Sequence, residues 1–357
     1  MLREPGLQWF PGSTRAELTG PLELETACDE DVCTRGPGRV YKVVVSGSQN
    51  GNPGPIVKKA FSIPIPKNDV APIKPEDGGR NRYGSQVLLE ITVATVTVIR
   101  VVHSSVLIDF DGSKVLTDPW FSERFGYYHG EPYGVTLENL PHLAGVVVSH
   151  GHYDHYDMQA FRAYPDKQVP LAVKRGIAKT ALKAGFTNVI EMDAWETTNF
   201  GPVTITATPG KHVVPEITYL LQAGGATVYF GGDTLLIPEL SEIGKRFRQV
   251  DVALLAINGL RIRPAGNRKV VMDAKDAAEL CRILQPRYAV PIHYSFTGGA
   301  IMDTLILKYA GSPSALTQEF QQATASLSPN TSVRVLAPGE PLVIQVDERV
   351  RGAGTGN

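Results

Sequence analysis

The chain has 357 residues, of which 43% are apolar, so it is long enough to bury at least one large hydrophobic core. Its formal net charge of -1 argues against nucleic acid or an anionic membrane as a general electrostatic partner. The cysteines at positions 28, 33 and 281 are too few and too unevenly spaced for a disulfide framework, and ordinary thiols are favoured over a paired or metal-binding role.

Residues 1–85 are rich in Gly, Pro, Asn and charged side chains, and only short runs such as 41–45 have the composition of a strand. We therefore predict a partly irregular N-terminal extension over this region. The first 18 residues carry charges and prolines where a signal peptide needs an apolar core, which favours a cytoplasmic protein.

Residues 86–345 have the pattern of one packed domain, and residues 346–357 have that of a flexible tail. The apolar stretch 87–110 is rich in Val, Ile and Thr, which predicts the strands of an antiparallel meander. It is not expected to span a membrane, because charged residues interrupt it at Glu90, Arg100 and Asp109.

The predicted elements of this domain form two halves, each with strands first and helices after them. The first half continues with an apolar strand that ends at residue 148, and with helices at 158–164 and 172–185. The second half has strands between 188 and 257 and again at 287–293, a Gly-Gly hairpin turn at 224–225, and helices at 273–285 and 312–327. This order predicts an α/β fold, a four-layer αββα sandwich with two sheets face to face and helices outside.

Three of the eight histidines fall within six residues, in the sequence SHGHYDH directly after the apolar strand. In an extended loop His150 and His152 point the same way and can share one metal, whereas Asp154 and His155 follow at a turn and can face a second. Imidazole and carboxylate ligands favour Zn²⁺, with Mn²⁺ and Fe²⁺ left open. The alternative is a polar loop whose histidines are merely exposed.

Three further residues each terminate an apolar β-run, as the cluster does. They are His212, Asp233 and His293. Any one of them alone is better explained as a core or turn residue whose hydrogen bonds are satisfied within the protein. As a set, they are predicted to complete the metal ligands.

This pattern resembles the metallo-β-lactamase superfamily over residues 95–300. The stretches VSHGHYDHYD, GGDTLLIPELSEIGKRF and PIHYSF are most similar to the branch of N-acylphosphatidylethanolamine-hydrolysing phospholipase D and ascorbate-6-phosphate lactonase. The resemblance implies one metal on His150, His152 and His212, and another on Asp154, His155 and His293, with Asp233 bridging. The chain departs from the family at Val102, where Gly is common, and in its N-terminal extension.

Two adjacent metals lower the pKa of a bridging water and stabilise the charge that develops on a substrate oxygen. We therefore expect a metallo-hydrolase that uses a metal-bridging hydroxide on an ester-like bond, with a phosphodiester favoured. Asp154, Asp233 and His103 are the predicted catalytic residues, and the resemblance suggests Asp154 as a proton acceptor. Asp118 is predicted to accept a hydrogen bond from a ligating histidine. The alternative for Asp118 is a cap of the turn before Pro119, and the alternative for His103 is packing in the core.

The aromatic-rich loop WFSERFGYYHGEPYG, which begins at Trp120, is predicted to form a lid or pocket wall, with ordinary packing as the alternative. Arg261 and Arg263 suit recognition of phosphate or carboxylate, with a solvated charged loop as the alternative. Tyr294 is predicted to line the site beside His293. The expected substrate is a small-molecule or lipid-like ester, with no nucleic acid partner, and homo-oligomerisation stays open.

Two other functions remain alternatives. One is a lactonase or promiscuous esterase with weak β-lactamase activity, since one fold and metal site hosts many chemistries. The other is a non-hydrolytic diiron redox or metal-binding protein. The redox version commonly has Glu where His152 stands, together with a flavin domain, and neither feature is found in this sequence.

Overall fold

The computed structural model describes residues 6–9, 16–19, 40–45 and 59–64, and then residues 93–247 and 249–347. The chain divides into two compact units, Met1–Thr92 and Val93–Asn357. In the first unit, β1 (Gly6–Trp9) pairs antiparallel with β2 (Ala16–Thr19), and β3 (Val40–Val45) pairs antiparallel with β4 (Lys59–Pro64). The domain boundaries expected from the sequence stay predictions, and Cys28 and Cys33 lie outside the described residues.

The second unit contains a first seven-stranded sheet in the order β10-β9-β8-β7-β6-β5-β21. Its strands are β5 (Val93–Val102), β6 (Ser105–Phe110), β7 (Ser113–Thr117), β8 (Gly145–Val148), β9 (Leu171–Lys174), β10 (Val189–Met192) and β21 (Pro341–Asp347). The antiparallel meander predicted for its start is confirmed by the pairing of β5, β6 and β7. From β7 to β10 the pairing is parallel, and β21, which extends two residues into the predicted tail, closes the other edge.

The helix predicted over 172–185 is wrong in its first part. Residues Leu171–Lys174 form β9, which pairs in parallel with β8 and β10, and the helix begins only at Ala178. The segment is short and apolar, so periodicity alone could not separate a buried strand from a helix. Gly176, with a φ of 100°, lets the chain turn between the two elements.

A second seven-stranded sheet has the order β11-β12-β13-β14-β15-β18-β20. Its strands are β11 (Thr197–Phe200), β12 (Val203–Pro209), β13 (Ile217–Ala223), β14 (Ala226–Phe230), β15 (Val252–Ala256), β18 (Tyr288–Ile292) and β20 (Ser332–Val333). The predicted hairpin turn joins β13 to β14, and both of its glycines have positive φ, as a type I′ turn requires. A small sheet follows the order β17-β16-β19 and consists of β16 (Arg261–Ile262), β17 (Arg268–Lys269) and β19 (Leu307–Lys308).

The α-helices of the second unit are α1 (Met158–Phe161), α2 (Ala178–Lys183), α3 (Ser241–Arg246), α4 (Ala274–Leu284), α5 (Gly299–Leu305) and α6 (Pro313–Leu327), and 3-10 turns span Leu137–Asn139 and Pro238–Leu240. Two of these helices begin with the caps that their sequences favour. The Asp273 side chain caps α4 in a capping box with Asp276, and Ser312 caps α6 before Pro313. Among the helices of the described residues, none is long and apolar enough to cross a bilayer.

Three hydrophobic layers hold the domain together. The central layer lies between the two sheets and includes Val98 and Ile108 from one sheet and Ile205 and Leu254 from the other. A second layer packs α1 and α2 on the outer face of the first sheet, and a third packs α3, α4 and α6 on the outer face of the second. The predicted αββα sandwich is therefore confirmed.

Strand direction determines where loop residues meet. In the first sheet β5, β7 and β8 run the same way, so their carboxyl ends share one edge. In the second sheet the same holds for β12, β14, β15 and β18. Loops that leave these ends can converge on one point while rigid strands hold them.

Candidate metal centre

Three imidazole rings converge beyond the carboxyl ends of β8 and β12. The Nε2 atom of His150 lies 3.0 Å from Nδ1 of His152, and Nε2 of His212 lies 3.2 Å from that same Nδ1 atom. The ligand atoms of these three side chains all lie within 4.8 Å of one another. They form the group that the resemblance implied for one metal.

A second group of ligand atoms lies beside the first, since the ring centroids of His150 and His155 are 4.2 Å apart. Asp233 Oδ2 lies 3.3 Å from Nε2 of His155 and 3.0 Å from Nε2 of His293. Asp154 Oδ2 lies 3.7 Å and 3.9 Å from the same two nitrogens. The four side chains expected around the second metal therefore meet.

Asp118, which follows β7, lies behind two of these histidines. Its Oδ2 accepts a hydrogen bond from Nδ1 of His155 at 2.6 Å and another from the Ser149 hydroxyl at 2.6 Å. The same hydroxyl oxygen lies 2.9 Å from Nδ1 of His150. Because a donor Nδ1 leaves Nε2 with its free electron pair, one carboxylate orients both rings toward the centre. This is the kind of contact that the sequence predicted for Asp118.

Two supporting residues, Glu216 and Asn258, were not singled out from the sequence. Glu216 is buried, its Oε1 accepts the backbone N–H of Asp233 at 2.7 Å, and the same atom lies 3.4 Å from Nδ1 of His150. The side-chain amide of Asn258 lies 2.8 Å from Nδ1 of His293. Asn258 directly follows the apolar run of β15, so the strand-end pattern could have identified it, whereas Glu216 precedes a strand.

His103 follows β5 in the left-handed backbone region, with a φ of 55°, and is fully buried. Its Nε2 lies 3.3 Å from Asp154 Oδ2, and its ring centroid lies 3.9 Å from that of His293. The ligand atoms of His103, Asp154, His155 and His293 all lie within 4.8 Å of one another. His103 thus belongs to the centre, although the sequence left its role open between catalysis and core packing.

The electrostatics of the centre favour a positive charge among its carboxylates. Burial lowers the pKa of His103 to about 3 and that of His152 to about 4, with nearby histidines adding to both shifts, so both rings are neutral. Burial alone would raise the pKa of Asp154 and lower that of His155. Neighbouring side chains reverse both shifts, because His155 and His103 lower the pKa of Asp154, while Asp233 and Asp154 raise that of His155. A divalent ion bound there would replace the proton on His155, because neutral imidazoles and ionised carboxylates are the forms that bind metal ions.

Several buried atoms at the centre have no hydrogen-bond partner within the described part of the chain. They are His155 Nε2, His293 Nε2 and Asp233 Oδ1, together with both ring nitrogens of His103. An unsatisfied buried polar atom costs about 1–3 kcal/mol, so their convergence on one point calls for a ligand. The donor set and these unpartnered atoms fit divalent metal ions.

The residues predicted to contact substrate lie around the centre in different ways. Trp120 is fully buried and packs edge-to-face with His103, with ring centroids 4.9 Å apart. Tyr294 accepts a hydrogen bond from Arg100 at 2.8 Å. The guanidinium of Arg263 donates to the carbonyl oxygen of Leu307 at 3.0 Å, and that of Arg261 donates to Asn267 at 3.2 Å. Contact of these side chains with substrate stays a prediction.

Comparison with known proteins shows which family this chain resembles. The family model described as "Beta-lactamase superfamily domain" matches residues 113–294. A UPF0173 metal-dependent hydrolase of Caldivirga maquilingensis is 26% identical over 253 residues, which cover 68% of this chain and 96% of that protein. The N-acyl-phosphatidylethanolamine-hydrolyzing phospholipase D 1 of Caenorhabditis elegans is 28% identical over 220 residues, 54% of this chain and 62% of that protein.

Among solved structures, Igni18, a metallo hydrolase from Ignicoccus hospitalis KIN4/I, superposes with a TM-score of 0.54 at 24% identity, covering 70% of this chain and 98% of its own. That likeness supports the fold. The matched family model spans just over half of the chain and includes both ligand groups except His103. The chain therefore belongs to the metallo-β-lactamase superfamily and is one of its metal-dependent hydrolases.

Proposed function

We propose that this protein is a dinuclear metal-dependent hydrolase that cleaves an ester-like bond, with a phosphodiester favoured over a lactone. The observation that carries the proposal is the pair of adjacent ligand groups. One consists of three histidines and the other combines histidines with carboxylates, and they approach one another at His150 and His155. Zn²⁺ suits such nitrogen and oxygen ligands, and Mn²⁺ or Fe²⁺ would fit them as well.

In this proposal, His150, His152 and His212 hold one ion, Asp154, His155 and His293 hold the other, and Asp233 lies between them. Bound there, divalent ions would supply Lewis acidity, which lowers the pKa of water and polarises an ester oxygen. Hydrogen bonds behind the ligands keep them in place, because Asp118 orients two rings and the Val270 carbonyl accepts Nδ1–H of His212 at 2.7 Å.

Asp154 is the proposed acceptor of a proton from the attacking water. Burial would raise the pKa of its carboxyl, but His155 and His103 beside it hold that pKa well below the usual range, and a divalent ion bound there would favour the ionised form as well. His103 is neutral, and its Nε2 lies 3.3 Å from Asp154 Oδ2, close enough to contact this carboxylate. We infer that His103 restrains this carboxylate, and that its own contribution to catalysis is to keep Asp154 in position.

The preference for a phosphodiester is supported by the similarity to the phospholipase D of Caenorhabditis elegans, whose name describes hydrolysis of a phospholipid. Members of one fold family act on different substrates. The substrate class is therefore tested separately from the metal centre.

For the metal centre, metal analysis after chelation and reconstitution with Zn²⁺, Mn²⁺ or Fe²⁺ should give about two ions per chain. Asp233→Asn should lower both the metal content and the rate of ester hydrolysis. Asp251→Asn is the matched control, because Asp251 is also buried but bonds the backbone of Thr227 away from the centre. Unchanged metal content and turnover in Asp233→Asn would refute the two-ion proposal.

For the substrate, the reconstituted protein is assayed on a panel of phosphodiesters, lactones and β-lactams. Preferential hydrolysis of phosphodiesters is expected. Preference for lactones would replace the proposal with the lactonase or esterase alternative. Full metal occupancy without hydrolysis of any of these substrates would favour the redox or metal-binding alternative.

A further inference from the structure

One arginine in the aromatic loop has a guanidinium that lies against two tyrosine rings. Arg124 lies over the ring of Tyr153, with its guanidinium carbon 3.8 Å from the centroid, and over the ring of Tyr127 at 4.8 Å. The side chain is exposed, whereas arginines on open surfaces are usually free to rotate. A guanidinium carries five N–H donors, so contact with the two rings still leaves donors that can bind a ligand.

The backbone fixes this arrangement. Arg124 and Tyr127 bond each other through both backbone amides, at 2.9 and 3.2 Å, and so close a four-residue turn. The third residue of that turn is Gly126, whose φ of 84° suits a type II turn and is costly for other residues. The turn therefore places Tyr127 directly beneath the arginine that begins it.

The second tyrosine is fixed from the other side. The Tyr153 hydroxyl lies 2.5 Å from Ser122 Oγ, which itself donates to Asp157 Oδ2 at 2.6 Å. The carboxylate of Asp157 also caps α1 through Ala160, so this chain of hydrogen bonds ends on a rigid element. The ring under Arg124 is thus oriented by contacts that do not depend on a ligand.

Both tyrosines connect Arg124 to the metal centre. Tyr153 lies in the chain between His152 and Asp154, and Tyr127 packs on Phe296, whose ring stacks near His293 with centroids 6.1 Å apart. The charge of Asp154 also contributes to the raised pKa of Tyr127, after burial, which is consistent with their proximity.

The charge of Arg124 is not neutralised by a neighbouring carboxylate. Across residues 93–247 and 249–347, no Asp or Glu forms an ion pair with it. The adjacent Glu123 instead contacts the ring and the backbone N–H of His129, at 3.1 and 2.8 Å. By contrast, Arg263 already donates to two backbone carbonyls.

We propose that Arg124, held on Tyr127 and Tyr153, forms a binding site for the anionic phosphate group of the substrate beside the metal centre. The preference for phosphate rests on the proposed function, since guanidinium binds phosphate and carboxylate alike. The planar fork matches two phosphate oxygens, so lysine at this position would keep the charge but lose the paired geometry.

The test compares Arg124→Gln and Arg124→Lys with the wild type on bis(4-nitrophenyl) phosphate and on the uncharged 4-nitrophenyl acetate, at equal measured metal content. In Arg124→Gln, loss of a charge-assisted hydrogen bond should raise KM for the phosphodiester about 10-fold or more. The KM of Arg124→Lys should lie between those of Arg124→Gln and the wild type. The kinetics on the acetate should not change. Arg246→Gln is the matched control, because Arg246 also stacks on an aromatic ring, Trp195, at 3.9 Å.

Calorimetric binding of phenyl phosphate separates this inference from the proposed function, because it needs no turnover. Even if neither ester is hydrolysed, Arg124→Gln should weaken phenyl phosphate binding about 10-fold relative to wild type and to Arg246→Gln. Equal losses on the charged and uncharged esters, or unchanged phenyl phosphate binding, would overturn the inference. A selective loss in Arg261→Gln without one in Arg124→Gln would overturn it as well.

Discussion

A buried ion pair ties the aromatic loop to the strand ends that carry two of the central histidines. Arg100, in β5, is fully buried and contacts the carboxylate of Glu131, whose side chain is 9% exposed. Glu131 also accepts the backbone N–H of His103 at 2.9 Å and the hydroxyl of Ser295 at 3.2 Å. Its carboxylate therefore holds residues next to, or part of, the centre on both sheets.

Removing one partner of such a pair leaves the other charge buried and uncompensated, which costs about 3–5 kcal/mol. Arg100 would keep its hydrogen bonds to Tyr294 and the Leu336 carbonyl, both at 2.8 Å, so we expect Glu131→Ala to cost about 3 kcal/mol, the low end of that range. For a domain of this size the loss lowers the melting temperature by about 6–12 °C.

The assay is urea denaturation followed by circular dichroism, with thermal melting in parallel. Glu123→Ala is the matched control, since Glu123 belongs to the same loop but its side chain is 46% exposed. Its loss should change stability by less than about 1 kcal/mol. The double variant Arg100→Met with Glu131→Leu should recover much of the stability, because apolar side chains of similar volume can replace a buried ion pair. Equal stabilities of Glu131→Ala and Glu123→Ala would refute this reasoning.

Two further predictions follow from single buried groups. Asp118→Asn should weaken metal binding about 10- to 100-fold in chelator competition, because the carboxylate that orients His155 is lost. Unchanged metal affinity would show that Asp118 does not support the metal ligands. Burial raises the pKa of Cys281 to about 12, so its thiol stays protonated and inert at neutral pH. In a Cys28→Ser, Cys33→Ser background a thiol reagent should label Cys281 only as the protein unfolds, and rapid labelling of folded protein would contradict this.

The ligand groups could be anticipated from sequence because their members follow the ends of strands, either directly or in the loop that the strand leads into. An apolar run of four to seven residues followed by His or Asp is visible without knowledge of the fold, and parallel strand ends necessarily share an edge. His150, Asp233 and His293 all obey this rule, which also extends to Asn258. Strand direction, one physical rule, governs where several of these side chains lie, which is why the sequence indicates that they converge.

The supporting residues were missed because their partners are distant in the chain. Glu216 is 17 residues from Asp233, and Arg100 is 31 residues from Glu131 and 194 from Tyr294. No local pattern distinguishes such a residue from an ordinary polar side chain at a strand boundary. The error at 172–185 has a similar origin, because pairing with β8 decided between strand and helix.

The loops predicted to contact the substrate are linked to one another, which affects how their residues should be tested. Tyr128 and Thr297 bond each other through their backbones at 3.0 and 3.1 Å, and Arg263 bonds residues 306 and 307 with both its backbone and its side chain. Arg263→Ala would therefore displace the loop as well as remove a charge, and should impair charged and uncharged esters alike. The Arg124 side chain contacts the side chains of Tyr127 and Tyr153 and not backbone carbonyls, so its replacement by Gln removes charge with less disturbance of the backbone. A loss confined to the anionic ester can consequently be interpreted as recognition at Arg124, but an unselective loss at Arg263 cannot decide whether its charge serves the substrate.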